Sequence, residues 1–152
     1  MKIRKVRRYI LIVLCVSAIA FIKYHSHILS GIMYKNKPEA FTIIDIVGAE
    51  ERFIDQRYLF VDARDNLFYK LGHIKNSVNI PLKDFDQIID EFEKKYARSI
   101  KIVVYCDGSL CSSSYLLAKG LIDRGYKFIE VFIGGWRNWI DSSLPIECSN
   151  EY

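Results

Sequence analysis

The chain has 152 residues, 51% hydrophobic and 26% charged, with a formal net charge of +4. That length suits one domain with one real core, and four cysteines are too few for a disulfide-built scaffold. The charge is segregated. Residues 1–37 carry eight Lys and Arg with no acid, leaving 14 of the 22 basic side chains against all 18 acidic ones. The globular part is therefore mildly acidic, has no basic patch with interleaved aromatics, and is not expected to bind nucleic acid.

The basic excess precedes an apolar run. Arg7-Arg8 lead into Tyr9–Ile22, an uninterrupted stretch of 14 residues, short for a spanning helix and typical of a signal-peptide core. Ala18-Ile19-Ala20 supplies a small-x-small pattern for cleavage after Ala20. The pattern resumes beyond Lys23 with Ile28, Leu29, Ile32, Met33 and Tyr34, and a snorkelling Lys23 would let a longer helix stay in the bilayer. Two readings stay open: a single-pass anchor at 1–34, or a secreted or periplasmic protein after cleavage near Ala20. In both, the positive flank keeps the N-terminus cytoplasmic and puts the domain on the outer side of the cell membrane.

Residues 35–40, with Lys35-Asn36-Lys37-Pro38, read as a linker, 41–147 as the folded domain and 148–152 as a tail. Within the domain, Phe41–Ile44 is a short apolar run and Asp45–Ile54 has helical spacing. Tyr58–Val61 reads as a buried strand ending at Asp62. Ser77–Ile80 is a short strand closed by Pro81, and Asp84–Ala97 an amphipathic helix with Phe85, Ile88, Ile89, Phe92 and Tyr96 on one face. Ile100–Tyr105 is the central strand, Ser112–Arg124 a helix and Phe128–Phe132 another strand. Gly134-Gly135-Trp136 opens a last short helix carrying Trp139, and both tryptophans read as core. Strands alternating with helices indicate an α/β fold with a mainly parallel sheet.

The chemistry concentrates after the central strand, in Cys106-Asp107-Gly108-Ser109-Leu110-Cys111-Ser112. Cys106 sits at the strand's carboxyl end facing a helix N-terminus, a crevice where open α/β sheets bind ligands and where free N–H groups favour anions. A thiol so placed is expected to react as thiolate. Cys111 closes the same loop, either as an inert residue at the helix start or as a resolving thiol. The spacing admits a disulfide without requiring one. Asp62 and Arg64, at the end of the neighbouring strand, read as supporting residues, and Gly72-His73 as a turn and packing element. No His, Cys and Asp cluster has zinc-ligand spacing, so neither metal nor cofactor is expected.

Phe60-Val61-Asp62-Ala63-Arg64-Asp65, followed by Gly72-His73-Ile74-Lys75-Asn76-Ser77-Val78-Asn79-Ile80-Pro81, resembles the first signature of rhodanese-like domains. Val103-Val104-Tyr105-Cys106, with Gly134-Gly135-Trp136, Trp139 and Leu144-Pro145, resembles the second. The resemblance spans about Phe41 to Glu147. It implies a five-stranded, mainly parallel sheet with helices on both faces, here preceded by an N-terminal hydrophobic helix. It also implies a catalytic Cys106 that takes a sulfane sulfur from a small donor, holds it as a persulfide and passes it to a thiol or other thiophilic acceptor.

The chain departs from the family in one place. Members active on thiosulfate usually carry a cation, most often Arg, five places after the cysteine; here that place is Cys111, and the loop has Asp107 and no Lys or Arg. Weak thiosulfate activity and a different donor are the expectation. The Cys-x-Gly-x-x-Cys loop resembles that of some membrane-linked bacterial rhodanese-like proteins. Two other functions stay open: a sulfane-sulfur reductase using Cys106 with Cys111, and a non-catalytic module for binding or sulfur sensing.

Overall fold

The computed structural model describes residues 41–149 and five helical residues nearer the N-terminus, Ser17, Ala20, Phe21, Lys23 and Tyr24. The chain divides into two units, Met1–Pro38 and Glu39–Tyr152, of which the second carries the fold. The anchor or signal segment read at 1–34 and the linker at 35–40 thus fall almost wholly outside the described residues. Among the described residues no helix is long and apolar enough to cross a membrane.

The elements run β1 (Thr42–Ile44), α1 (Ile46–Asp55), β2 (Tyr58–Asp62), α2 (Asn66–Leu71), β3 (His73–Ile74), β4 (Val78–Asn79), a 3-10 turn (Leu82–Asp84), α3 (Phe85–Lys95), β5 (Lys101–Tyr105), α4 (Ser113–Asp123), β6 (Phe128–Phe132), α5 (Gly135–Asp141) and β7 (Ile146–Glu147). Among the described residues they form a five-stranded parallel sheet, ordered β1-β6-β5-β2-β4, and a two-residue antiparallel pair, β3 with β7.

Helices cover both faces of the sheet, so its central strand is buried on both sides and reads as a continuous apolar run. Along β5 the pleat then sorts the residues. Ile102 and Val104 pack with Ile89 and Phe92 of α3 and Leu117, Ala118 and Leu121 of α4. Val103 and Tyr105 face Ala49 of α1 and Trp139 of α5. Because side chains alternate with period two, the next residue, Cys106, falls on the α3 and α4 face and joins that cluster.

Three expected boundaries shift. The strand read at Ser77–Ile80 is only Val78–Asn79. The helix read at Asp84–Ala97 is Phe85–Lys95, because Pro81 is followed by a 3-10 turn and Tyr96 turns extended. The Gly72-His73 turn continues into β3, whose His73 lies opposite Glu147 of β7. α2 has no counterpart in the periodicity, since none of its residues is buried; its N-cap is Asp65, which accepts the Leu67 N–H at 3.3 Å.

Two constraints hold the carboxyl ends of the strands. The first is a buried ion pair. Asp62 is fully buried and Arg64 is 7% exposed. The Asp62 carboxylate accepts the Arg64 backbone N–H at 2.8 Å, Nε at 3.1 Å and Nη2 at 2.7 Å. The same Nη2 donates to the Gly72 carbonyl at 2.7 Å, and the guanidinium lies 4.6 Å from the Trp136 ring centroid. One side chain thereby ties the end of β2 to the α2–β3 turn and to α5. Below it, Tyr105 accepts the Ile74 N–H at 3.1 Å, and burial beside Asp62 pushes its hydroxyl well above the ordinary tyrosine value, so it stays neutral.

The second constraint is the approach of α5 to the loop after β5. Gly135 has φ +60, and a Cβ there would lie 2.4 Å from the Cys106 carbonyl oxygen and 2.9 Å from the Gly108 nitrogen. Only glycine allows that contact. It lets the Trp136 N–H donate to the Cys106 carbonyl at 2.7 Å and the Arg137 N–H to the Asp107 carbonyl at 3.0 Å.

Replacing Arg64 with Met leaves the Asp62 charge without a partner in the interior, and should cost about 3–5 kcal/mol in urea unfolding. The double variant Asp62→Asn with Arg64→Met should recover part of it, and a single-variant loss below about 1 kcal/mol would mean the pair behaves as an exposed one. Gly135→Ala should lower stability by at least about 2 kcal/mol through backbone strain and the clash with Cys106. Gly108→Ala, where a Cβ would meet nothing nearer than 3.7 Å, should stay within about 0.5 kcal/mol. Equal losses at the two glycines would contradict the close-approach argument.

Candidate active site at the carboxyl end of β5

Cys106 is the first residue beyond β5 and is 3% exposed. The loop it opens curls back on itself: the Cys111 N–H donates to the Gly108 carbonyl at 2.9 Å. This brings the two cysteines to a Cα–Cα distance of 6.3 Å, where they are joined by a disulfide. The separation falls inside the usual disulfide range of roughly 4.4–6.8 Å. The two sulfurs are not equivalent. Cys106 is buried with the α3 and α4 cluster, whereas Cys111 is partly exposed and only packs against that cluster.

Two clefts flank the disulfide. One, of about 380 Å³, is lined by Ala63, Arg64, Asp65 and Phe68 from the β2–α2 segment, by Cys106, Asp107 and Cys111, by Ser113 at the start of α4, and by Arg137 of α5. The other, of about 390 Å³, lies along the loop from Asp107 to Cys111 and is also bordered by Arg137. Ser109, Leu110 and Ser112 are exposed, Leu110 completely. Of the loop residues singled out from sequence, Asp107, Gly108, Ser109, Leu110 and Cys111 line one or both clefts, and Ser112 lines neither.

Arg137 is the residue that sequence reasoning missed. Its Nε donates to Asp107 Oδ2 at 2.8 Å, and both side chains are well exposed, at 73% and 46%. The loop itself has no cation, but α5 brings one to it from 30 residues further along the chain. Asp62 and Arg64 act differently: their charges are spent on each other and on Gly72, and they brace the wall of the first cleft. Asp65, also in that wall, pairs with Lys83.

The helix N-terminus expected opposite the thiol resolves into two. α4 begins at Ser113, in the wall of the cleft, while the first N–H groups of α5 are consumed by the Cys106 and Asp107 carbonyls. Trp139 is fully buried, with its indole N–H on the Pro145 carbonyl at 2.9 Å, and Trp136 is half-buried over Arg64. His73 is stacked on Tyr69 and hydrogen-bonded through Nδ1 to the Tyr69 carbonyl at 2.8 Å; it does not line either cleft. Among the described residues no group of three or more His, Cys, Asp or Glu could hold a metal ion.

Residues 48–142 match the family model described as the rhodanese-like domain. The thiosulfate sulfurtransferase GlpE of Haemophilus influenzae is 30% identical over 94 residues, which cover 62% of this chain and 84% of that protein. The protein of the same name from Vibrio cholerae is 26% identical over 109 residues, 72% of this chain and 97% of its own length. A Bacillus halodurans crystal structure superposes with a TM-score of 0.63 at 21% identity, covering 84% of this chain and 85% of that one. That likeness bears on the fold. With the parallel sheet, the covered faces and the cysteine loop in place, the family match over 48–142 shows that this chain belongs to the rhodanese-like domain family.

Proposed function

We propose that the protein is a sulfurtransferase or persulfide carrier acting through Cys106. The observation that supports this best is the setting of that thiol: at the end of the central strand, in a cleft walled by the start of α4 and by Arg137, with a second cysteine within bonding reach. In the forward half-reaction the Cys106 thiolate attacks the sulfane sulfur of a small donor. The new S–S bond forms as the donor's S–S bond breaks, and the donor's remaining part leaves with the electron pair. The acceptor half-reaction is the same displacement by an incoming thiolate, which takes the outer sulfur and restores the Cys106 thiolate.

The disulfide favours a second reading, a sulfane-sulfur reductase. Here the Cys111 thiolate attacks the Cys106 sulfur of the persulfide and expels hydrosulfide, leaving the Cys106–Cys111 disulfide. The sulfane sulfur is reduced to sulfide and the two thiols are oxidised. An external thiol must then reopen the pair, and Cys111 is the sulfur it reaches, because Cys106 is covered. Attack there forms a mixed disulfide on Cys111 and frees Cys106 as thiolate; a second thiol releases Cys111. In both readings the domain works on the outer side of the cell membrane, carried by segment 1–34 or released after Ala20. A disulfide is at home in that compartment.

Mass spectrometry of the reduced protein after exposure to thiosulfate, polysulfide or glutathione persulfide tests both. A one-sulfur adduct mapped to Cys106, absent in Cys106→Ser and longer-lived in Cys111→Ser, is the expected result. Rapid loss of the adduct with release of sulfide and return of the disulfide in the wild type selects the reductase reading. No adduct with any of the three donors would leave the family's non-catalytic role in its place.

A further inference from the structure

We infer that Arg137 is the anion-recognition residue of the Cys106 cleft and that Asp107 holds it in check, which tunes the site to singly charged sulfur donors with an apolar body rather than to thiosulfate. The inference rests on the sulfurtransferase reading and deepens it. Every charged side chain in the wall already has an opposite partner: Arg64 has Asp62, Asp65 has Lys83, and Arg137 has Asp107. An incoming anion therefore meets no surplus positive charge, and a dianion gains least.

The three pairs differ in how readily they yield a cation. Asp62–Arg64 is buried on both sides and held by four hydrogen bonds between the two residues, so it does not open for a ligand. In Asp65–Lys83 the residue in the wall is the acid. Arg137–Asp107 is exposed on both sides, and such pairs are worth little in water. Its Nε holds Asp107, and a guanidinium has further N–H donors set in a fork that suits an oxyanion. The Arg137 backbone N–H on the Asp107 carbonyl keeps the side chain at the mouth whichever partner it takes. Beside it the wall turns apolar, with Ala63 and an exposed Phe68 in the same cleft and Leu110 along the adjoining one. One anionic group on Arg137 and an apolar body along Phe68 is the donor shape that fits.

The test compares thiosulfate with benzenethiosulfonate, a monoanion carrying a ring, as donors to the pre-reduced full chain, with cyanide as acceptor and ionic strength varied. The wild type should prefer benzenethiosulfonate. Asp107→Asn should improve thiosulfate by about fivefold, carried by KM and weakening with salt, and should change benzenethiosulfonate less. Arg137→Gln should raise KM for both donors by about fivefold, and Arg137→Lys should restore most of it for both. Unchanged KM values in Arg137→Gln, with sulfur still loading onto Cys106, would overturn this inference and leave the sulfurtransferase reading standing. A thiosulfate preference in the wild type, or no gain in Asp107→Asn, would overturn the restraint assigned to Asp107. Absence of a Cys106 adduct with either donor would overturn both readings together.

Discussion

The contact on which the site depends is the approach of the Gly135 backbone to the Cys106 carbonyl. A side chain on Gly135 would start 2.4 Å from that oxygen, so the first turn of α5 lies directly on the loop that leaves β5. Two consequences follow from the hydrogen bonds this allows. The Cys106 and Asp107 carbonyls are turned toward α5 and satisfied there, which leaves the rest of the loop to curl through the Gly108–Cys111 turn. The N–H groups of α5 are spent in the same act. A rigid loop has been gained, and one of the two helix N-termini near the thiol has been used to gain it.

That use shifts the burden of charge onto side chains. A helix N-terminus offers an anion roughly half a positive charge with no side chain involved. With α5 committed to the loop carbonyls and the N-terminus of α2 capped by Asp65, α4 is left to bring its N-terminus to the cleft wall through Ser113. The remaining positive charge must come from a guanidinium. Arg64 stands in the cleft wall but is locked by Asp62, Gly72 and Trp136. Arg137 stands free of such locking because it projects from the exposed side of a short helix whose other side buries Trp139.

Much of this was legible in the sequence, and for identifiable reasons. The buried run through Val103 and Val104 marks the central strand, whose pleat in the structure then sets the face that Cys106 takes. The apolar face of Ile88, Ile89 and Phe92 marks α3. What stayed hidden draws its stability from partners far away in the chain. β3 and β7 are two residues each and pair across 74 positions, from His73 to Glu147, so neither has a pattern of its own. α2 buries none of its residues. Arg137 was missed for the same reason at the level of the site: one exposed arginine carries no periodicity, and its partner is 30 residues upstream. The carboxylate in the loop was the signal available. An acid beside a thiol that must meet anions calls for a cation from elsewhere, and the family's usual place for it holds Cys111.

The exchange of that cation for a cysteine has a physical logic. An arginine at position 111 would add charge where Asp107 and Arg137 already balance, and would favour small dianions without regard to their bodies. Cys111 instead closes over Cys106, whose exposure in the disulfide is only 3%. On the proposed reading the closed pair shields the reactive thiol from further oxidation, which in an oxidising compartment would otherwise run past the sulfenic stage to products that thiols do not reverse. Opening it requires a thiol at the partly exposed Cys111, in a cleft shared with Arg137. A thiolate reductant and an anionic sulfur donor would then be drawn in by the same guanidinium. The two half-reactions of the cycle would share one entrance, in which Asp107 competes with both.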